Sequence, residues 1–442
     1  MNPELQRYLW LELTPHRLLV TPLLLLALFA LVHLLADQGT LRALAEVSYW
    51  VVLAIGVLWG GRVAGEAVSG ELAHGTWDQQ RLSSLGPWAM TWGKLLGAAV
   101  FTWYACAPCI VLIALGARPD APALDAPGDA LLLVTIVLFC HAIGLLGSLH
   151  LAARGRIESG RWGMLLQLAG LALAVPLLLV GIAAFGAGWS GEVRWFGMDV
   201  TLRVFVWCSA MAFTAWAVTA CYRLMRVELQ LRNAPWVWIA FVLFCMGYAA
   251  GFAWSGEPSA VVLIDGARID AERLALLSAH ASALGLGYLM LLLEAKDPVA
   301  WAMLLDAVRR GRIATALEHM PRWACVLPLL AAVTLAAWWW DVAGRLLCAS
   351  LLVFFVRDAA LVVLLNLGAR PARADTAALL YLVVLYVLLP AVVLAAGGSA
   401  HGWLLPSMHG DLASAVLPGA LQAALLWWLV RARWRRHQAA WH

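Results

Sequence analysis

Residues 18–36 read LLVTPLLLLALFALVHLLA and contain no aspartate, glutamate, lysine or arginine. A helix of about 20 apolar residues is long enough to cross the ~30 Å hydrocarbon core of a bilayer. Lipid offers the backbone no hydrogen-bond partner, so a lipid-embedded run must satisfy its own amides, as a helix does. This stretch therefore predicts a membrane-spanning α-helix.

The rest of the chain repeats this pattern. Its 442 residues are 63% hydrophobic and 13% charged, with a mean hydropathy of +0.83, whereas a soluble domain usually has about 25% charged residues. We predict an all-α, polytopic membrane protein with about twelve transmembrane helices. The predicted spans are residues 18–36, 47–64, 95–116, 130–152, 163–189, 201–222, 236–254, 274–293, 323–340, 343–366, 377–396 and 415–430.

The distribution of lysine and arginine predicts the orientation of these helices. With the N-terminus inside, the cytoplasmic segments hold 22 of the 30 basic residues and the outside loops hold seven. Cytoplasmic loops carry an excess of positive residues, so both termini are expected in the cytoplasm. The basic C-terminal tail then faces anionic headgroups.

The loop lengths indicate an internal repeat. Two predicted cytoplasmic loops, 65–94 and 294–322, are each about thirty residues long and follow the second and the eighth span. Equivalent positions of this kind are typical of a duplicated membrane fold. We therefore predict two six-helix halves, residues 1–234 and 235–442.

The first long loop, GEAVSGELAHGTWDQQRLSSLGPWAMTWGK, is the most distinctive stretch. Gly75 permits a turn, Thr76 is a good N-cap residue, and Gln79 three positions later completes a capping box. The pattern predicts a short helix Trp77–Leu85, followed by a helix with Pro87 in its first turn.

This short helix has two interpretations from its residues alone. It is either a solvated loop helix or a surface that contacts a partner. We expect Trp77 to be exposed, with Leu82 and Leu85 for apolar contact and Gln80 and Arg81 as polar groups. Exposed tryptophan beside charges favours the contact surface.

Several residues of the loop follow a recognisable order: Glu71, Gly75, Thr76, Leu82 to Leu85, Pro87, Gly93 and Lys94. This order resembles the cytoplasmic loop of ABC-transporter type-2 permeases, the exporter-like class. In that family the loop after the second span forms a coupling helix that sits in a groove of the ATPase subunit. The resemblance is best over residues 1–115, where Glu4–Leu13 is similar to the family's interfacial elbow helix.

The resemblance implies a permease subunit of the bacterial inner membrane, driven by a separate ATPase subunit in two copies. It places a set of loop residues at or near the ATPase contact: Glu71, Gly75, Thr76, Trp77, Asp78 and Arg81. The chain itself lacks a phosphate-binding GxxxxGK[ST] motif. We therefore expect the partner ATPase to bind ATP and magnesium. We expect this chain to be a transport subunit rather than an enzyme, and to bind no cofactor, metal or nucleic acid. Membrane lipid and a small or amphiphilic substrate are its other expected contacts.

Two features depart from the family pattern. Many members have six spans per chain and dimerise, whereas twelve spans let this chain supply both halves. The second loop, 294–322, has no Gly-Thr motif but contains a predicted helix at 299–309. That loop is either a diverged second coupling element or a structural connector.

Charged residues inside a predicted span are costly and by default suggest function. Arg357 and Asp358 lie in the middle of span 343–366. Neighbouring helical residues point about 100° apart, so the two need not pair with each other. They either line or gate a translocation path or form a buried ion pair that fixes the helix bundle.

The eight cysteines lie in or beside apolar runs, which favours reduced, buried side chains. Cys106 and Cys109 form a CxxC spacing, but their apolar helix favours a structural role over a redox or metal site.

Two other functions fit a multi-pass chain. A secondary transporter also has a 6+6 layout, but the central loop 223–235 is short and no Gly-x-x-x-Asp-Arg loop follows the second span. A membrane enzyme acting on lipids is the other alternative, and it would need a cluster of acids or histidines near one interface. The ATP-driven permease is the interpretation we favour.

Overall fold

The structure is a computed structural model that describes residues 2–36, 40–116, 125–153, 191–254, 261–264, 267–340, 344–368, 374–398, 403–407 and 410–439. Contacts divide the chain into two compact units. Unit 1 is Met1–Val193 with Val200–Asn233, and unit 2 is Arg194–Asp199 with Ala234–His442. This division rests on contacts between residues and does not count the spans in each unit. The two six-helix halves therefore stay a prediction.

Unit 1 is built from helices. They are α1 (Pro3–Glu12), α2 (Pro15–Leu35), α3 (Thr40–Val51), a π-helical segment (Val52–Trp59), α4 (Gly60–Glu66), α5 (Ser69–Ala73), α6 (Trp77–Arg81), α7 (Pro87–Gly97), α8 (Val100–Leu115), α9 (Asp125–Ala153) and α10 (Leu202–Glu228).

Unit 2 is also predominantly helical. Its helices are α11 (Trp236–Ala253), α12 (Ala271–Leu293), α13 (Pro298–Arg309), α14 (Ile313–His319), a 3-10 turn (Ala324–Val326), α15 (Leu327–Trp339), α16 (Arg345–Asn366), α17 (Ala374–Val383), a π-helical segment (Val384–Leu388), α18 (Leu389–Ala395) and α19 (Leu412–Ala439).

Two short strand pairs depart from a purely helical fold. Strands β1 (Glu192–Trp195) and β2 (Met198–Thr201) form one pair. Strands β3 (Val261–Ile264) and β4 (Ala267–Asp270) form an antiparallel pair, with Val261 opposite Asp270. Each of these strands has four residues, and each pair is a two-stranded sheet.

Three helices start with the same local device, a polar N-cap residue followed by proline. The side chains of Asn2, Thr14 and Asp297 accept hydrogen bonds from backbone N–H groups of the first turns of α1, α2 and α13. The proline that follows each cap has its φ preset for a helix and lacks an N–H that would have no partner there. The predicted helices Glu4–Leu13 and 299–309 are confirmed as α1 and α13.

Nine helices among the described residues are long and apolar enough to cross a membrane. Two bent pairs raise this number to eleven: α7 with α8, bent by 60°, and α14 with the 324–339 segment, bent by 116°. The helical, multi-pass architecture is therefore confirmed, and the count of twelve stays a prediction. The predicted span 163–189 lies outside the described residues.

The second span is longer than predicted. Its helix runs from Thr40 to Ala73 rather than over 47–64, and the loop predicted to start at residue 65 begins only after Ala73. The helix continues because residues 65–73 contain no proline. A glycine in a helix costs only about 1 kcal/mol, and packing overrides that cost. Gly75, with φ of +70°, follows the last turn.

Glycines let α9 pack directly on α4. A Cβ at Gly144 would lie 2.4 Å from the carbonyl oxygen of Gly61 and 3.0 Å from the amide nitrogen of Gly65. Close backbone approach through small residues is a main source of helix association in lipid, where the hydrophobic effect between helices is absent. Beside this contact, the His141 ring nitrogen Nε2 donates to the carbonyl oxygen of Gly56 at 2.8 Å.

The cysteines are free thiols, and six of the eight are buried. Cys106 and Cys109 both lie in the apolar core of unit 1, so the structural interpretation of their CxxC spacing agrees with their surroundings. The prediction that every cysteine is buried is wrong for Cys208, which is exposed on α10. Hydropathy places a residue in a span but does not show which side of the helix faces other helices.

We expect Gly144→Ala to lower the free energy of unfolding in detergent by about 1–3 kcal/mol, because the added methyl group overpacks the α4–α9 contact. The matched control is Gly247→Ala on α11, where an added Cβ meets nothing within 4 Å. That change should be neutral or stabilise by roughly 0.5 kcal/mol. Thermal unfolding followed by circular dichroism checks both, and equal melting temperatures would contradict the described packing.

Candidate functional site

A buried lysine lies at the centre of the site in unit 1. Lys94 is on α7 and has no exposed side-chain surface. Its ammonium group donates to Glu4 Oε1 at 3.1 Å, to Glu71 Oε2, and to Gln80 Oε1 at 2.8 Å. An ammonium group has three N–H donors, and here all three are used.

The charges around Lys94 balance. Arg7 on α1 donates to Glu4 Oε1 at 2.9 Å and to Glu71, so two cations face two carboxylates. Burial of an unpaired charge costs several kcal/mol, whereas a fully hydrogen-bonded set offsets most of that cost. The network therefore holds together α1, α5, α6 and α7 (Gln80 lies on α6).

Neutral groups complete the network. Gln80 Nε2 donates to Glu71 Oε1 at 2.8 Å, and the Tyr8 hydroxyl donates to the same oxygen at 3.2 Å. Burial and the negative charge of Glu71 raise the pKa of the Tyr8 phenol, so the hydroxyl keeps its proton and remains a donor. We call these residues the Lys94 network: Glu4, Arg7, Tyr8, Glu71, Gln80 and Lys94.

Two glycines on α7 allow α1 to approach closely enough for this network. A Cβ at Gly93 would lie 2.6 Å from the Cβ of Glu4, and one at Gly97 would lie 2.7 Å from the Tyr8 ring. No side chain fits at either position without displacing α1. The Gly93-Lys94 pair of the sequence motif thus has two roles, close approach and charge.

Trp77 lies inside the protein. It is 1% exposed, its ring N–H donates to Glu228 Oε2 at 3.3 Å, and the Lys94 ammonium lies 5.1 Å from its ring centre. The interpretation of Trp77 as an exposed contact residue is therefore wrong. One side of this short helix faces α10. The sequence does not show where α10 lies, so it does not show that Trp77 is on the buried side.

The capping box predicted for Thr76 and Gln79 is absent, because the side chain of Thr76 makes no cap hydrogen bond. Its hydroxyl donates to the carbonyl oxygen of Glu71 at 3.3 Å. The short helix ends at Arg81 rather than Leu85, whereas Pro87 lies in the first turn of the next helix as predicted.

One side of the loop stays exposed. The exposed residues are Ala73, His74, Gly75, Thr76, Asp78, Gln79, Leu82, Ser83, Ser84 and Gly86. Leu82 has 88% of its surface exposed and Asp78 has 84% of its side chain exposed. We call this group of residues the loop tip.

The six residues predicted at the ATPase contact fall into two groups. Gly75, Thr76 and Asp78 lie in the loop tip, and Arg81 is 31% exposed with an ion pair to Asp78. Glu71 and Trp77 face inward and hold the loop. The contact itself stays a prediction.

Sequence reasoning missed most of the Lys94 network. The motif alone assigns no ion pair to Lys94, although the chain has just two lysines, Lys94 and Lys296. Both are buried and ion-paired, the second with Asp375 at 3.1 Å. The sequence does contain a signal for this network. It is a lysine at the start of an apolar run, in a chain whose basic residues are otherwise almost all arginine.

The second candidate site lies in unit 2, where Arg357 and Asp358 are buried and paired with each other. Arg357 Nε donates to Asp358 Oδ1 at 2.8 Å. The Tyr288 and Tyr386 hydroxyls both donate to Asp358 Oδ2 at 2.6 Å, and Arg357 Nη1 donates to Gln422 Oε1 at 3.0 Å. The guanidinium carbon also lies 4.3 Å from the ring centre of Phe354.

This pair joins four segments of unit 2. Tyr288 is on α12, the charges are on α16, Tyr386 is in the second π-helical segment, and Gln422 is on α19. Because both charges have several partners, the arrangement has the chemistry of a structural ion pair. A role of the pair in gating or substrate binding stays a prediction.

No group of three or more histidine, cysteine, aspartate or glutamate side chains that could hold a metal ion occurs among the described residues. Comparison of the chain with protein-family models, with curated proteins and with solved structures finds no match.

We expect Lys94→Met to lower the free energy of unfolding by about 3–5 kcal/mol, because it leaves Glu4 and Glu71 with Arg7 as the one cation between two carboxylates. The control Arg62→Met removes a cation whose side chain is 71% exposed and pairs with Glu66; its expected cost is about 0–1 kcal/mol. Thermal unfolding in detergent compares the two, and equal stability would contradict a charged Lys94 network.

Asp358→Leu should destabilise by about 3–5 kcal/mol, since it leaves the Arg357 guanidinium buried without its carboxylate. The double variant Arg357→Met with Asp358→Leu removes both charges and should recover most of that stability. Transport by the double variant separates the two interpretations: activity near that of the unaltered protein supports a structural pair, and a stable but inactive protein supports gating. An Asp358→Leu protein as stable as the original would contradict the pairing.

Proposed function

We propose that this chain is the membrane-spanning permease subunit of an ATP-driven exporter of the ABC class, in the bacterial inner membrane with both termini in the cytoplasm. A separate ATPase subunit, in two copies, hydrolyses ATP with magnesium and docks on the loop between the second and third spans. The chain itself carries a small or amphiphilic substrate and does no chemistry.

The single observation that carries this proposal is the two-sided loop. Its inner side is fixed by the Lys94 network and by the Trp77–Glu228 hydrogen bond. Its outer side, the loop tip, exposes Leu82, Asp78 and Gln79 to solvent. An exposed leucine on a rigid support, with polar groups around it, has the composition of a docking surface for another protein.

The connections of the loop suggest how docking would act on the membrane domain. Lys94 joins α6, through Gln80, to α7, and α7 continues into α8 across a 60° bend. Glu4 and Arg7 join the same network to α1. A displacement of the loop tip would therefore be passed to α1 and to the third span by buried ion pairs rather than by a flexible linker.

The proposal assigns different roles to the loop residues. Gly75, Thr76 and Asp78 face the ATPase, and Arg81 orients Asp78 through their 3.4 Å ion pair. Glu71 and Trp77 are positioning residues that keep the tip in place. Leu82, which the sequence predicts as an apolar contact together with Leu85, is the main apolar contact, because 88% of its surface is exposed.

We expect Leu82→Glu to reduce the amount of ATPase recovered with the purified chain at least tenfold, because a charge replaces an apolar contact at the centre of the tip. The matched control is Met198→Glu in the β1–β2 hairpin, which is 58% exposed and lies in a predicted outside loop. Both substitutions are on exposed residues, so membrane insertion and melting temperature should stay unchanged.

Co-purification in mild detergent, with ATP hydrolysis as the second readout, measures the difference. Equal recovery of ATPase by the Leu82 and Met198 variants would contradict docking on this loop. Transport by the chain alone, without ATP hydrolysis, would contradict the proposed function as a whole and favour the secondary-transporter alternative.

A further inference from the structure

Helix α13 exposes a set of apolar side chains that the proposed function does not use. Val299 is 56% exposed, Met303 50%, Leu305 40% and Val308 61%. Other residues of the same helix pack into unit 2: Ala307 is buried, and the Trp301 ring lies 6.3 Å from the Trp434 ring of α19.

Ion pairs and a hydrogen bond show that several helices of unit 2 begin or end at the same end of the helix bundle. Lys296, just after α12, pairs with Asp375 at the start of α17, and Asn366 at the end of α16 donates to the same carboxylate at 3.2 Å. Glu294 pairs with Arg322, just before α15. The ends of α12 and α16 and the starts of α15 and α17 therefore lie at the same end of the bundle.

Helices α13 and α14 are held close to this end. Four residues, 294–297, join α12 to α13, and four more, 320–323, join α14 to the 3-10 turn that begins the next span. Four extended residues reach at most ~14 Å. The start of α13 and the end of α14 thus each lie within about 14 Å of the span that precedes or follows them.

The same end carries many exposed arginines. The exposed arginines there are Arg309, Arg310, Arg312, Arg431, Arg433, Arg435 and Arg436. One of them, Arg310, pairs with Asp306 at 2.9 Å. The guanidinium of Arg433 lies 3.5 Å from the position of a Cβ at Gly368, which places the end of α19 beside the end of α16.

We propose that α13, the Arg309–Arg312 turn and the arginines of the α19 end form one surface that binds anionic phospholipids. In this arrangement α13 lies in the headgroup region with its exposed apolar side chains against the acyl chains, and the guanidinium groups bind headgroup phosphates. Apolar side chains combined with arginines on a helix beside the bilayer are the composition of an interfacial helix. Arginine provides the planar donors that match phosphate oxygens.

The occupant is lipid rather than the ATPase for two reasons. The apolar side chains of α13 cover a wide arc of the helix, whereas a coupling element such as the loop tip has one exposed leucine among polar residues. The short tether before α13 also keeps the start of this helix close to the end of the span α12. The surface does not depend on the proposed function, and it makes loop 294–322 a connector rather than a second coupling element.

Native mass spectrometry of the purified full chain tests the proposal, with dioleoylphosphatidylglycerol and dioleoylphosphatidylcholine as probes. The unaltered protein should bind the anionic lipid more tightly. The pair Arg435→Gln with Arg436→Gln should weaken that binding roughly thirtyfold, since each surface arginine contributes about 1 kcal/mol and each 1.4 kcal/mol is a factor of ten. Arg309→Gln with Arg312→Gln should act in the same direction.

The matched control is Arg42→Gln with Arg62→Gln, which removes the same charge from exposed residues of unit 1. It should leave phosphatidylglycerol binding unchanged. Glycerol 1-phosphate, which has the phosphate without acyl chains, should not displace the lipid; displacement would overturn the role of α13. Equal binding of the two lipids by the unaltered protein, or equal loss in the Arg42/Arg62 control, would overturn the proposal.

If the Arg309/Arg312 variant no longer co-purifies with the ATPase but still binds the lipid, α13 is a protein contact and the proposal is wrong.

Discussion

The arrangement of unit 1 near its first loop depends on a single ammonium group. Lys94 has no exposed side-chain surface, and each of its N–H donors reaches a partner on a different helix. Without Glu4 and Glu71 its charge would be too costly to bury, and without Lys94 the two carboxylates would have only the partly exposed Arg7 as a cation. The rigid loop that we propose as a docking surface is a consequence of this pairing.

The two charged sites show how a mostly apolar protein uses its few buried charges. In unit 1 the Lys94 network joins an N-terminal helix to a loop, and in unit 2 Arg357 and Asp358 join helices within the bundle. In both, every carboxylate accepts bonds from more than one segment. In an environment where apolar side chains give little specificity between helices, such directional bonds fix which segments meet.

Sequence reasoning predicted the parts of the fold that depend on local pattern. The span at 18–36, helix α1 and the helix start at Pro87 follow from hydropathy and from the position of polar residues and proline. It failed where the answer depends on distant segments: Trp77 is buried in the core of unit 1, and the acceptor of its ring N–H is Glu228, 151 residues away. The partners Glu4 and Lys94 are 90 residues apart, and no local periodicity connects them.

We propose above all that the loop tip contacts the ATPase subunit in living cells. A photo-crosslinking amino acid at position 78, compared with one at position 198, tests it most directly. The account predicts a polypeptide adduct at position 78 only, which mass spectrometry identifies as an ATPase with a phosphate-binding loop and whose yield changes when ATP is depleted. An adduct formed equally at both positions, or only lipid adducts at position 78, would contradict the account.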